Sequence, residues 1–366
     1  MRNKIFTLIV ILQVVAVYSQ PLIVDSSITP TEIVQNTLVG SGITPTNIKF
    51  NKSLSNALIT RDQIGVFTNG QGTNLGLASG VVLSTGQVQY AGGPNNQNGA
   101  SHPTLIPIAN DADLALLSSN SIQNIATVEF DFVSTGTEIG LDFIYASEDY
   151  PEYATSSFSD VMGIFLSGPD IAGPYSNNAK NIALLPSTSI PISTNSVNNG
   201  TMNNGPCINC NFYVNNGTGT TPIANATIQF DGFTTEINTT ATVQIGSIYH
   251  LKIAIGNVSD NLYDSAIFIK ANSFKTATLS NPNFEISKMT ISPNPASNEI
   301  QLSLKDSSDS IEEITLVSLL GQQNDLSIKS VGNEILVDVS SLSKGLYFVE
   351  VKTKNNLKYF QKLAIN

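Results

Sequence analysis

The sequence predicts a mainly β protein: an N-terminal β-sandwich-like domain with one or two short helices, then a small C-terminal immunoglobulin-like β-sandwich. Three observations carry this. Apolar and polar residues exchange with period two in Ala126-Thr127-Val128-Glu129-Phe130-Asp131-Phe132 and in Ile139-Gly140-Leu141-Asp142-Phe143-Ile144-Tyr145, the pattern of strands with one face on a core. Loops rich in Gly, Asn and Pro separate such runs, notably 91–103 and 195–219. The strand pattern then lapses around Asn281-Pro282-Asn283 and resumes as a compact set of short strands.

Taken in order, residues 1–19 open with Arg2 and Lys4, run apolar from Ile5 through Val17, and end on the small Ser19 before Gln20. That is the pattern of a secretory signal peptide, and the run is shorter than the roughly 20 apolar residues a membrane span needs. Thr29-Pro30-Thr31-Glu32 sets a hydroxyl, a proline at the first helical position and a carboxylate three residues on, a capping-box start for a helix through Ile33, Val34 and Leu38 that stops at Gly40. A second short helix is expected over Asp111 to Ser118, with Asp111 and Asp113 at its N-terminus. Further strands are expected at 80–84, 161–166, 226–230, 249–255 and 266–271. These elements make an ectodomain over 20–276, joined by a linker at 277–287 to a terminal domain over 288–366. Strands in the latter are expected at 299–304, 314–319, 334–339, 346–352 and 358–365, with Lys354-Asn355-Asn356 as the turn of a last hairpin.

Composition narrows the function classes. Without Arg2 and Lys4 the chain keeps 15 basic residues against 28 acidic ones, a balance of −13, which disfavours nucleic acid because a phosphate backbone demands a basic face. No further apolar stretch after residue 17 predicts a transmembrane helix in the mature chain. Only 12% of residues are charged and Trp is absent, which suits an extracellular β protein with many turns. The two cysteines, Cys207 and Cys210, lie three apart in an Asn-rich loop. A redox motif would need a βαβ context and a zinc site four ligands, so a local disulfide is the expectation.

The residues most suggestive of chemistry are Glu148, Asp149, Glu152 and Asp160, within thirteen positions at the end of a strand, with Asp260 and Asp264 from a later loop. Carboxylates drawn together repel, and an oxygen-rich set of this kind suits Ca2+, which takes six to eight oxygens. The alternatives are separate solvated loop residues and, a weaker reading, the acid plus nucleophile or base of a glycosidase. His102 and His250 are the only histidines, and no nucleophilic triad assembles around them.

Two resemblances rest on longer motifs. Ile291-Ser292-Pro293-Asn294-Pro295-Ala296, Leu319-Leu320-Gly321-Gln322 and Val339 through Val349 resemble, in order and spacing, the type A sorting domains of the type IX secretion system. The resemblance implies export through the periplasm of a Gram-negative bacterium to its outer surface or medium, with the secretion machinery as partner. Asn74-Leu75-Gly76, Ser79 through Gly86, Val128 through Phe132, Tyr145-Ala146-Ser147-Glu148-Asp149-Tyr150-Pro151-Glu152-Tyr153, Asp231-Gly232-Phe233 and Tyr263-Asp264-Ser265-Ala266 resemble the choice-of-anchor L domain, a family that occurs with different surface-attachment tails. That family implies a surface protein and no particular activity. The reading that follows is a binding or adhesion module for a glycan or another protein, with Tyr150, Tyr153 and Tyr175 as exposed stacking groups. A secreted hydrolase acting on polysaccharide, or a structural surface or matrix component, are its rivals.

Overall fold

The computed structural model describes residues 21–52, 62–223, 226–277, 289–304, 311–318, 323–324, 328–331, 334–353 and 358–366. The expected signal peptide, all but the first residue of the expected linker, and the 354–356 turn lie outside the described residues. The chain forms two compact units that divide between residues 279 and 280.

The first unit runs β1 (Ile23–Asp25), α1 (Pro30–Ile33), β2 (Pro45–Phe50), β3 (Ile64–Thr68), β4 (Gly80–Ser84), β5 (Ile122–Val133), β6 (Glu138–Ser147) and β7 (Val161–Ser167). It continues with β8 (Lys180–Asn181), β9 (Tyr213–Asn215), β10 (Gly217–Thr218), β11 (Thr221–Pro222), β12 (Gly232–Thr234), β13 (Ile237–Thr242), β14 (Ile248–Val258), β15 (Ser265–Lys270) and β16 (Lys275–Ala277). Two antiparallel sheets form the sandwich. One has nine strands in the order β1-β3-β4-β15-β6-β12-β9, with β13 and β16 also pairing along β6; the other has five, β2-β5-β14-β7-β8.

Period-two alternation decides what each face of the five-stranded sheet does. Val128, Phe130 and Phe132 of β5 and Leu251, Ile253 and Ile255 of β14 point inward, meeting Val81, Leu83, Phe143, Tyr145, Ile267 and Ile269 of the larger sheet in one core. The intervening Glu129, Asp131, His250 and Lys252 therefore share the outer face. The larger sheet is covered on both sides. Phe67, Val82, Ile144 and Phe268 form a second cluster beneath Leu75, Leu77, Ile228 and Phe230, which is why β4 and β15 read as unbroken apolar runs.

The capping box forms as the sequence predicts: Thr29 Oγ1 accepts from the Glu32 amide at 3.2 Å and Glu32 Oε2 from the Thr29 amide at 3.1 Å. The helix widens into a π turn over Val34–Leu38. Two expectations are corrected. Residues 111–118 make only a one-turn 3-10 helix, Leu114–Leu116, which Asp111 Oδ1 leads into by accepting from the amides of Asp113 and Leu114. Residues 226–230 form no strand: their buried apolar side chains cover the larger sheet, and only Ile228 bridges to Gly92.

The second unit is a sandwich of two four-stranded sheets. Its strands are β17 (Met289–Ser292), β18 (Glu299–Leu304), β19 (Ile311–Ser318), β20 (Gln323–Asn324), β21 (Ile328–Val331), β22 (Glu334–Asp338), β23 (Gly345–Thr353) and β24 (Lys358–Ile365), ordered β17-β18-β22-β21 and β20-β19-β23-β24. Ile300, Leu302, Leu316, Val337, Val349, Val351 and Leu363 fill its core. The Pro293-Asn294-Pro295 segment bends, and Asn294 ties the bend to β24: its Nδ2 donates to the Lys362 carbonyl at 2.7 Å and its Oδ1 accepts from the Ala364 amide at 2.9 Å.

Candidate functional site

Two polar regions of the ectodomain concern function. The first is the acidic cluster, built by strand register. Ser147, the last residue of β6, faces Ser265 of β15 on one side and Gly232 of β12 on the other. The residues next to these three, Glu148, Asp264 and Asp231, are therefore gathered at one end of the sheet, and the Glu148 amide donates to the Asp264 carbonyl at 2.9 Å. Gly86 lets this happen, since a Cβ there would lie 2.3 Å from the Asp264 carboxylate.

The carboxylates are buried. Relative exposure is 1% for Glu148, 2% for Asp149 and for Asp160, 0% for Asp231 and 6% for Asp264. Asp160 is fully engaged, Oδ1 accepting from the Val258 amide at 2.8 Å and Oδ2 from the Ser265 hydroxyl at 2.7 Å. Asp149 Oδ2 accepts a long bond, 3.4 Å, from the Asp160 amide. Asp231 takes the Asn95 amide at 2.7 Å, and Asp264 takes the His102 amide at 2.8 Å. Both oxygens of Glu148 and Oδ1 of Asn95 are buried and, among the described residues, lack a hydrogen bond of good geometry, although the Ala100 backbone and the Gln229 side chain ease the Glu148 charge. Burial pushes Glu148, Asp149 and Asp160 well above the usual carboxylate range; Asp231 and Asp264 add repulsion at Glu148, and Asp149 at Asp160. Burial likewise raises Asp231 to about 7. The cluster holds its charge down with protons and donors.

The six acids singled out from the sequence thus fall into separate settings. Glu148 and Asp264 adjoin; Asp149 and Asp160 adjoin, with Asp260 close enough to repel both. Asp260 is engaged with its own loop, accepting from the Leu262 amide at 2.9 Å. Half-buried Glu152, raised by burial, lies toward Asp231. Among the described residues no group of three or more His, Cys, Asp or Glu side chains is arranged to hold a metal ion. The oxygens with spare capacity are at the Glu148 end: Glu148 itself, Asn95, Asp231 and Asp264. Sequence reasoning missed Asn95 and Asp231 as members, although Asp231-Gly232-Phe233 stood among the family motifs.

The second region lies on the outer face of the five-stranded sheet. Register sets His250 opposite Asp131 on β5 and Ser167 on β7, and Lys252 opposite Glu129 and Phe165. Lys252 Nζ donates to both oxygens of Asp111, at 2.7 and 2.6 Å, and to Asp113 Oδ2 at 2.8 Å. Asp113 Oδ1 accepts from the Ser176 amide at 2.7 Å. His250 reaches Asp131 through Nδ1 at 2.7 Å and Glu129 through Nε2 at 3.1 Å. With an acceptor at each nitrogen, the imidazolium is the form that satisfies both. The electrostatics agree: the Glu129 bond raises His250, while at Lys252 the bonds to Asp111 and Asp113 overcome burial and raise the ammonium. Between these pairs is a pocket of about 170 Å³, lined among others by Thr127, Phe165, Ser167, Asn177, His250 and Lys252.

Of the tyrosines expected as exposed platforms, Tyr150 is a core residue, 0% exposed, donating to the Val197 carbonyl at 2.6 Å. Tyr153 and Tyr175 are half-buried, and Tyr175 packs on Phe165 at 4.7 Å beside the pocket. Cys207 and Cys210 are joined as a disulfide.

A β-sandwich ectodomain followed by a second small sandwich is the architecture of a modular surface protein. The chain belongs to the choice-of-anchor L domain family, whose model matches residues 22–275, and a secretion system C-terminal sorting domain matches residues 290–366. The sorting domain makes this a protein exported through the type IX system of a Gram-negative bacterium, secreted or held on the outer surface. Among the described residues no helix is long and apolar enough to cross a membrane. No curated protein matches the chain. Among solved structures, the chain is similar to the BSP domain of a biofilm associated protein (7% identity, 84% of this chain and 60% of that one, TM-score 0.21). It is also similar to a polysaccharide lyase (11%, 73% and 36%, 0.17) and to a beta-1,2-glucanase from Parabacteroides distasonis (8%, 71% and 35%, 0.17). The chain spans less than two thirds of each of these.

Proposed function

We propose that the ectodomain is a binding module, serving adhesion to a glycan or protein, which the sorting domain delivers to the cell surface. The observation that carries this reading is the division of polar residues. Glu148, Asp149 and Asp160 are sealed inside the fold, whereas the carboxylates that line the open polar pocket are paired with Lys252 and His250. A glycosidase needs two carboxyl groups flanking its substrate, one of them ionised. Glu148, Asp149 and Asp160, at 1–2% exposure, are out of a polysaccharide's reach. A pocket whose carboxylates are all engaged by cations offers shape and hydrogen bonds without a free carboxylate base.

The test uses the secreted mature protein on a glycan array, with a reducing-end assay on the same polysaccharides. Retention of at least one glycan without new reducing ends is expected. Release of reducing ends would replace this reading with the hydrolase, and retention of no glycan and no surface protein would leave only a structural role.

A further inference from the structure

We infer that a serine-lined cleft at the end of the five-stranded sheet where β7 begins holds a strand of neutral polysaccharide. The inference rests on the binding-module reading and gives that module a contact surface and a ligand class.

The cleft consists of two adjoining hollows, of about 410 and 290 Å³, which share Leu117, Val161, Ser193 and Asn195. Segments far apart in sequence build it. Ser156 to Ser159 come from the loop between β6 and β7, and Leu117 to Asn120 follow the 3-10 turn. Ile190 to Ser196 pass beside β7, with Ser193 bridged to Val161. The disulfide fixes a further wall. Ile208 and Asn209 lie between Cys207 and Cys210; Ile208 exchanges backbone hydrogen bonds with Asn198 at 2.9 and 3.0 Å, and Asn209 Nδ2 donates to the Ser196 carbonyl at 2.8 Å. A wall held in this way needs little ordering when a ligand enters.

The lining selects the ligand. Among the described residues no charged side chain lines either hollow, so an ionised ligand would give up hydration there without meeting a counter-ion. The chain's excess of acids turns anions away at longer range as well. What the cleft presents is hydroxyls in fixed positions. Ser118 Oγ accepts from the Asn120 amide at 3.1 Å, Ser156 Oγ from that of Phe158 at 3.1 Å, Ser159 Oγ from that of Asn195 at 2.9 Å and Ser193 Oγ from that of Ser196 at 3.2 Å. Each oxygen is anchored by a backbone amide, and among the described residues none of the four hydroxyls donates a hydrogen bond, so all four are free to donate to a ligand. These serines are half-buried, within a ligand's reach, where the acids of the other sheet are sealed. Apolar surface lies beside them: Ile190 is 40% exposed, and Leu117 and Ile208 are half-buried. Hydroxyl donors next to aliphatic surface match a sugar ring, with its polar rim and its C–H face, and two hollows in a row call for more than one ring. A peptide would ask for an unpaired strand edge to take its main chain, but Val161 is already bridged to Ser193.

The experiment is saturation-transfer NMR on the full mature chain with cellotetraose, laminaritetraose, mannotetraose and chitotetraose. Tetragalacturonate is the charged counterpart, and a blocked neutral peptide of glycine, serine and asparagine is the rival ligand. At least one neutral tetrasaccharide should bind. Ser193→Ala, where the hollows meet, should weaken it about tenfold, the worth of one lost hydrogen bond. Ile190→Asp puts a charge on exposed cleft surface, outside the core, and should weaken it at least as much. Asn177→Gly, in the outer-face pocket, should leave it unchanged. No neutral tetrasaccharide bound, or tetragalacturonate or the peptide bound more tightly than all of them, would overturn the inference. So would sugar binding that survives both cleft substitutions. Loss of binding in Asn177→Gly alone would move the sugar to the outer face and overturn the inference while leaving the binding-module reading intact.

Discussion

The outer face of the five-stranded sheet and the acidic end of the nine-stranded sheet solve one problem in opposite ways. On the outer face the buried Asp111 and Asp113 share Lys252, and the half-buried Glu129 and Asp131 share His250. At the acidic end five carboxyls are buried, and the His102 ring lies 3.3 Å from one of them, Asp264. Their charge is held off by protons and by donated hydrogen bonds. The lesson is that burial alone does not determine whether an acid is charged. The nearest partner does, and in this chain the partner is set by strand register.

The largest effect should come from unpairing the outer face. Lys252→Met keeps the stem that covers Phe165 and removes the charge, leaving Asp111 and Asp113 buried and ionised. A loss of about 3–5 kcal/mol is expected, seen as a Tm lower by roughly 10 °C for a domain of this size. The triple variant with Asp111→Asn and Asp113→Asn should recover most of that loss. A Tm drop no larger than for an exposed lysine would mean that the pair is solvated.

The second effect is the opposite pH response of the two regions. Asp113, Glu129 and Asp131 titrate below their ordinary values, so their stabilisation is present above about pH 4–4.5 and disappears as pH falls through the folded-state values. Glu148, Asp149, Asp160 and Asp231 titrate above theirs. Their contribution is complete below about pH 4 and is lost as pH rises, through about 7 in the case of Asp231. His250, raised by Glu129, adds to the loss as pH climbs past its folded value. Each proton held in excess by the folded chain tilts stability by ~1.4 kcal/mol per pH unit. Calorimetry at constant ionic strength should therefore find a maximum in weak acid and a decline toward pH 8. A Tm that rises steadily to pH 8 would mean that the buried carboxyls ionise freely.

Much of this architecture is legible in the sequence, for reasons that differ by region. The alternation in β5 and β14 announces a half-buried sheet because one face is polar. The Thr29 to Glu32 cap is visible because all its partners lie within four residues. The 226–230 segment has apolar alternation too, but those side chains cover another sheet's outer face, and alternation carries no information about which backbone, if any, a segment pairs with. The sites are less legible. Lys252 meets Asp111 from 141 positions away, and Glu148 meets Asp231 and Asp264 only through the registers of β6, β12 and β15. The stretch from Glu148 to Asp160 looked like one site because it is contiguous. In the fold its members turn to different neighbours.

A third, smaller effect isolates the acidic end. Glu148→Gln preserves shape and removes a buried charge that only the Ala100 backbone and the Gln229 side chain ease. It should be nearly neutral at pH 5, where the wild-type carboxyl is protonated, and should stabilise by about 1 kcal/mol at pH 8. Equal destabilisation at both values would show that the glutamate makes a bond specific to the acid.

The smallest effect concerns calcium, which the acidic composition of this loop invites. A proton and a divalent cation compete for the same negative charge, so the cation can act only where protons have left. At the Glu148 end the free oxygens of Glu148 and Asn95, with Asp231 and Asp264 beside them, are the donors on offer. A site so incomplete belongs with weak extracellular ones, with dissociation constants of roughly 0.1–1 mM. Binding to the folded state alone stabilises it by ~0.4 kcal/mol when calcium equals that constant. The expected result is a Tm increase of about 1 °C on adding millimolar calcium at pH 8. None is expected at pH 5, where protons occupy the cluster, nor in Glu148→Gln at either pH. An increase of the same size at pH 5, or one that survives Glu148→Gln, would place the ion elsewhere. No increase at pH 8 would mean that protons and donors alone neutralise these acids.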